Sequence, residues 1–289
     1  MALRDGRSGW QADERRRFIR VAAGAKGEPI MKMSMDDKVA IVTGGSKGIG
    51  LAVARAFAAA GARVAIVARG AEALAAARVS LAGEGLKVRD YVCDVSKVED
   101  IGRAYQQIIS DFGRVDVLVN NAGTSRAMPF ASVTDEIWQQ DLDLKLFAAI
   151  RMSRLVWPGM KERRWGRIIN VLNTGAKAPA ARSTPTSVSR AAGMALTKVM
   201  ASEGGEFNIL VNALLVGLIV SDQWVQRHAA TADGKSFDDF TRDLAKGIPL
   251  GRMGTADEFA NLACFLASDL GSYINGTAIN VDGGRSPVV

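Results

Sequence analysis

Val39-Ala40-Ile41-Val42-Thr43-Gly44-Gly45-Ser46-Lys47-Gly48-Ile49-Gly50 is the stretch that decides the architecture of this chain. A short apolar run, Val39 to Val42, has the length and composition of a buried strand. After the glycine-rich turn, Leu51 to Ala60 reads as an alanine-rich helix that stops at Gly61. Strand, glycine loop and helix in that order suit a phosphate-binding βα turn. Glycines let the backbone turn tightly and approach a pyrophosphate with no Cβ in the way, and the helix N-terminus adds unpaired N–H groups with partial positive charge. A glycine-rich turn alone is a weak signal; the flanking strand and helix strengthen it. Gly44, Ser46, Lys47, Gly48, Ile49 and Gly50 are the first candidate coenzyme contacts.

The same alternation continues outward. Val64 to Val67, Val88 to Val92, Val115 to Val119, Ile168 to Leu172, Ile209 to Leu215 and Ala278 to Val281 read as further buried strands, short, β-branched and with little alternation. Helical segments lie between them. Ser96-Lys97-Val98-Glu99 and Thr255-Ala256-Asp257-Glu258 have the pattern of capping boxes. The expected fold is a single α/β domain, a Rossmann-type doubly wound parallel sheet of about seven strands. The polar stretch 221–247 interrupts the alternation and reads as a helical insertion able to cover a pocket.

The chain has 289 residues, 48% hydrophobic and 23% charged, ordinary for one globular domain with a sizeable core. Of the formal net charge of +7, +4 lies in residues 1–35, where eight basic side chains face four acidic ones. That segment is expected to be a disordered basic extension, or to precede a true start at Met31, Met33 or Met35, with the domain spanning 36–289. The two cysteines, Cys93 and Cys264, have no metal or redox spacing, no metal site is expected, and no apolar run approaches the ~20 residues that span a bilayer. These features suggest a cytoplasmic protein without nucleic-acid or membrane partners.

Asp94 follows the third strand, Asn120-Asn121-Ala122-Gly123 the fourth, Pro249-Leu250-Gly251-Arg252 the insertion, and Asn280-Val281-Asp282-Gly283-Gly284 lies near the end. With the Thr-Gly-x-x-x-Gly-x-Gly loop, these ordered motifs resemble the short-chain dehydrogenase/reductase family, 3-oxoacyl-acyl-carrier-protein reductase-like members included, over about residues 36–285. The resemblance implies that Asp94 and Val95 border the adenine and that Asn121, Ala122 and Gly123 border the coenzyme. It also implies that backbone groups at Gly217 and Ile219 reach the nicotinamide carboxamide, although Val216 stands where the family keeps proline. An acidic residue at the end of the second strand selects NAD in such folds. Here Ala68 holds that position, followed by Arg69, with Lys47 as a second cation, so NADP(H) is expected over NAD(H).

The catalytic positions depart from the family pattern. Aligned on the family's Tyr-x-x-x-Lys, this chain has Thr186 at the tyrosine and Arg190 at the lysine; Asn173 falls at the serine and Lys145 at the asparagine. Its three tyrosines, Tyr91, Tyr105 and Tyr273, lie in other segments. Thr186 is too weak an acid to replace a phenol, and Arg190 can hold ribose hydroxyls or an anion but not relay protons. Asn173 can polarise a carbonyl. Lys145, desolvated beside a second cation, can act as acid, base or amine nucleophile. His228, in the presumed lid, is a lesser proton donor candidate.

Three functions remain open at this point: an NADP(H)-dependent oxidoreductase of atypical mechanism acting on an unidentified small carbonyl or alcohol substrate, with an anionic or carbonyl-containing ligand suited to the two cations; a lyase, dehydratase or isomerase using Lys145; and an inactive NADP-binding sensor or partner subunit. The resemblance also implies a homotetramer or homodimer formed through the long helices starting near Glu136 and Val188.

Overall fold

The computed structural model describes residues 33–231 and 234–289. The expectation of disorder for residues 1–35 falls almost entirely outside the described residues. Its boundary needs a correction. Met35 is 1% exposed; its amide donates to the Ala60 carbonyl at 2.7 Å and its sulfur lies 3.7 Å from Cys264 Sγ. The described compact unit runs from Ser34 to Val289, because these packing partners draw the segment just before the first strand into the core.

Seven parallel strands form the sheet: β1 (Val39–Thr43), β2 (Arg63–Ala68), β3 (Val88–Val92), β4 (Val117–Asn120), β6 (Gly166–Asn173), β8 (Ile209–Val216) and β9 (Ala278–Val281). Their spatial order is β3-β2-β1-β4-β6-β8-β9, so the chain winds outward in both directions from β1 and β4. A two-stranded antiparallel pair, β5 (Ala127–Met128) with β7 (Thr184–Pro185), stands apart from it. Successive residues of a strand point to opposite faces, and here both faces are covered. Ala40 and Val42 pack with Phe57 of α1 (Gly48–Ala59), Leu74 and Leu81 of α2 (Ala71–Gly83) and Phe259 of α9 (Ala256–Ala267). Ile41 faces the other way, toward Ile101 and Ile108 of α3 (Val98–Phe112), Met152 and Val156 of α5 (Ala148–Arg163) and Met200 of α6 (Thr186–Gly204).

Two sequence expectations change. The strands β3 and β9 lie at the sheet edges and are only partly covered; Val92 is 54% exposed, and β3 carries Arg89 and Asp90, charges that discourage pairing with another strand. The capping box at Thr255 forms, with Glu258 returning to the Thr255 amide, but the one at Ser96 does not. The Ser96 hydroxyl donates instead to Asp94 at 2.7 Å, and α3 starts one residue later with Lys97 as its N-cap. The 221–247 insertion holds two helices, α7 (Asp222–Thr231) and α8 (Phe237–Ala245). No described helix is long and apolar enough to cross a membrane.

Candidate coenzyme and proton-transfer site

The glycine loop between β1 and α1 is tied to the C-terminal end of β4. Thr43 Oγ1 donates to the Val119 carbonyl at 3.2 Å and accepts from the Asn121 and Ala122 amides at 2.9 and 3.0 Å. Asn121 Nδ2 donates to the carbonyls of Thr43 (2.9 Å) and Gly44 (3.3 Å). Gly44 has φ +67°, and a Cβ on Gly50 would lie 2.2 Å from the Gly44 carbonyl oxygen, so both positions need glycine. Lys47, at the N-cap of α1, brings no capping oxygen to the first-turn amides. An N-terminus bare of a side-chain cap, beside a loop held open by glycine, fits a diphosphate.

Around this loop, exposed Arg69 follows β2, and Asp94 and buried Val95 follow β3. Burial pushes the Asp94 carboxyl up, but the Ser96 hydrogen bonds and the Arg69 and Lys97 charges outweigh it and hold the group below its ordinary range. Arg69 and Asp94 therefore share one edge of the site. Gly217 follows β8 with its amide bonded to the Val281 carbonyl at 3.0 Å, and buried Ile219 bridges to Gly254. A Cβ on Gly48 would lie 3.6 Å from Cβ of Ser221, which brings the start of the insertion to the phosphate loop. Ser221 opens the polar stretch 221–247, and no local motif marks it as a neighbour of the loop.

Helix α4 (Asp135–Leu142) runs into a π-helical turn, Asp143–Phe147, before α5. The wide turn carries Lys145, whose side chain has no exposure. Its Nζ donates to Asp141 Oδ1 at 2.5 Å and to Thr186 Oγ1 at 2.8 Å. The other oxygen of Asp141 accepts from Ser189 Oγ at 2.6 Å. Burial pulls the Lys145 ammonium down to about 8; the Arg190 charge acts in the same direction and the Asp141 carboxylate against both. Burial also pulls Arg190 down to about 10, which leaves it charged at neutral pH.

Arg190 donates from Nη1 to the Val171 carbonyl at 2.8 Å, while its buried Nε has no partner. A Cβ on Gly123 would lie 2.7 Å from Arg190 Nη2 and 3.6 Å from Lys145 Cγ, so the segment after β4 passes directly over both cations. Asn173, the last residue of β6, has a buried Oδ1 without a partner. A buried donor and a buried acceptor without partners are features that a polar ligand can satisfy. Lys145, Thr186 and Arg190 thus come together, with Asn173 at the end of the strand they pack against.

Thr186 takes a different part from the one its position suggested. Its hydroxyl donates to the Arg126 carbonyl at 2.7 Å and accepts from the Arg126 amide at 3.0 Å as well as from Lys145. One proton and two lone pairs are all that a hydroxyl offers, so Thr186 is fully committed and holds no proton for a ligand. Asp141 and Ser189 went unnoticed in the sequence, although Asp141 stands one helical turn before Lys145. His228 packs edge-on to Phe237 and beside Phe240, with Nε2 2.9 Å from the Lys235 carbonyl; it joins α7 to α8. Tyr91 bonds Asp111, Tyr105 lies on α3 and Tyr273 is fully exposed, so no phenol belongs to the Lys145 cluster. Among the described residues, no group of three His, Cys, Asp or Glu could hold a metal ion.

A doubly wound sheet with a glycine loop at the mouth of its first βα turn defines a dinucleotide-binding protein, and comparison with known proteins gives its family. A family model described as enoyl-(acyl carrier protein) reductase matches residues 44–286. The 3-oxoacyl-acyl-carrier-protein reductase of Chlamydia muridarum is 34% identical over 257 residues, 89% of this chain and 100% of the relative. The L-sorbose reductase of Gluconobacter frateurii, solved with NADPH and L-sorbose, is 35% identical with a TM-score of 0.86, covering 90% of this chain and 100% of that one. A short-chain oxidoreductase of Pseudomonas aeruginosa PAO1, solved with NADPH and described as containing an atypical catalytic center, is 37% identical with a TM-score of 0.82 over 89% of this chain and 99% of that one. The chain belongs to the short-chain dehydrogenase/reductase family and resembles its 3-oxoacyl-acyl-carrier-protein reductases.

Proposed function

We propose that this chain is an NADP(H)-dependent oxidoreductase that interconverts a small carbonyl compound and its alcohol, with Lys145 moving the proton in place of the family's phenol. The observation that carries the proposal is a fully buried lysine, poised near 8, joined to Thr186 and close to Arg190, in a cleft whose coenzyme loop is intact. The coenzyme, when bound, supplies or takes a hydride at C4 of its nicotinamide. The first-turn amides of α1 bind the diphosphate, Arg69 and Lys47 bind the 2′-phosphate, and the unpartnered Nε of Arg190 meets a ribose hydroxyl. In reduction, the Lys145 ammonium gives one proton to the carbonyl oxygen as the hydride reaches the carbonyl carbon. The Nδ2 amide of Asn173 donates to that oxygen and orients it, and water then reprotonates the lysine. Asp141 keeps the ammonium charged until that moment. Exposed Val188 and Val199 on α6 offer apolar surface for the proposed pairing of copies.

Titration with NADPH and NADH, followed by coenzyme fluorescence, tests the first half of this reading. NADPH is expected to bind tighter, and Arg69→Ala to lose about tenfold of NADPH affinity while NADH is unchanged, the scale of one charge-assisted contact. Equal loss for both coenzymes would remove Arg69 from the phosphate. The pH profile tests the second half. Reduction needs protonated Lys145, so kcat/KM is expected to fall as pH rises through about 8, and that of the reverse oxidation to rise over the same range. A flat profile across that range would set the lysine aside.

A further inference from the structure

The short antiparallel pair β5–β7 does more than brace the cleft. Register pairs Ala127 with Pro185, so Arg126 and Thr186 face each other one step further along. There the Thr186 hydroxyl bonds both the amide and the carbonyl of Arg126. The backbone of residue 126 is thereby fixed through one oxygen atom that also receives Lys145 Nζ. The Arg126 side chain leaves this anchored point into solvent, and Nη1 donates to Gln140 Oε1 at 2.9 Å, a neutral partner that orients the guanidinium without neutralising it.

Charge around the cluster is unbalanced. The charges of Arg126 and Arg190 both act on Lys145, and the one carboxylate of the cluster, Asp141, has its oxygens already taken by Lys145 and Ser189. Among the described residues, neither Arg126 nor Arg190 makes an ion pair with an acidic side chain; their hydrogen-bond partners are Gln140 and a backbone carbonyl. Arginine's planar fork matches a carboxylate bidentately, and Arg126 is exposed enough to receive one from solvent.

We infer that Arg126 is the receptor for a carboxylate on the substrate, and that the substrate class is therefore an oxo acid and its hydroxy acid rather than a neutral ketone or sugar. This rests on the coenzyme reading above. Binding of the anion also acts on chemistry. Both guanidinium charges lower the proton affinity of Lys145. A carboxylate seated on Arg126 offsets one of them, so the lysine holds its proton more firmly when an acid substrate is present than when the cleft is empty.

The test uses the full-length protein saturated with NADP+, which cannot reduce the acid, titrated with acetoacetate, pyruvate and their methyl esters in a calorimeter. At least one oxo acid is expected to bind about tenfold or more tightly than its ester. Arg126→Gln is expected to abolish that difference while leaving NADP+ affinity intact. Binding of an oxo acid at pH 8 is also expected to take up protons in weakly buffered solution, and Arg126→Gln to lose most of that uptake. Esters binding as well as acids, no oxo acid binding, or discrimination surviving in Arg126→Gln would each overturn the assignment. Failure of NADP+ itself to bind would instead overturn the coenzyme reading, so the two are told apart in the first titration.

Discussion

Exchanging Lys145 for methionine is expected to lower turnover by roughly two to four orders of magnitude, the usual worth of a positioned general acid, while the coenzyme still binds. The same change is expected to destabilise the fold by roughly 3–5 kcal/mol, because Asp141 is left buried at 2% exposure with only the Ser189 hydroxyl as partner. Pairing Lys145→Met with Asp141→Leu separates the two effects. Removing both charges restores most of the lost stability, since a buried ion pair replaced by apolar groups is often neutral or better. It does not restore turnover. Urea unfolding and NADPH oxidation, measured on both variants, read these outcomes independently. A double variant with wild-type turnover would mean that the lysine is only a counter-ion for Asp141.

The second large effect is expected at Gly50. Gly50→Ala puts a methyl group 2.2 Å from the Gly44 carbonyl oxygen and 2.5 Å from Asn121 Nδ2. Neither is a flexible tip. The carbonyl belongs to the loop backbone, and the amide nitrogen holds the Thr43 and Gly44 carbonyls. The loop has to move off β4. Loss of one charge-assisted amide contact to phosphate then costs about 10- to 150-fold in NADPH affinity, alongside roughly 1–3 kcal/mol of stability from overpacking. Equilibrium dialysis with NADPH and thermal unfolding measure the two. Unchanged affinity would mean that the diphosphate does not sit on this loop.

Much of this was legible in the residues, and the remainder has physical reasons for staying hidden. Val39 to Val42 and Ile209 to Leu215 could be found as strands because both faces are buried and the residue types alone carry that information. The exposure of Val92 could not, since it depends on which strand ends up at the edge of the sheet. Met35 joins the core through Cys264, 229 positions away, a contact no local pattern encodes. Lys145 could be flagged by alignment, but Asp141 and Lys145 one turn apart read in any helix as a solvated surface pair. Only the π-helical turn, which swings Lys145 inward, makes the pair a buried one. Thr186 was read by position alone, and its position gave no hint that Arg126 would consume its hydroxyl.

That consumed hydroxyl limits what a single substitution can achieve. Placing tyrosine at 186 would not by itself install phenolic chemistry, because a ring has no oxygen where the Arg126 backbone and Lys145 converge. The present arrangement and the phenolic one exclude each other. Exchanging one arrangement for the other takes changes at several of positions 126, 141, 145, 186 and 190 together.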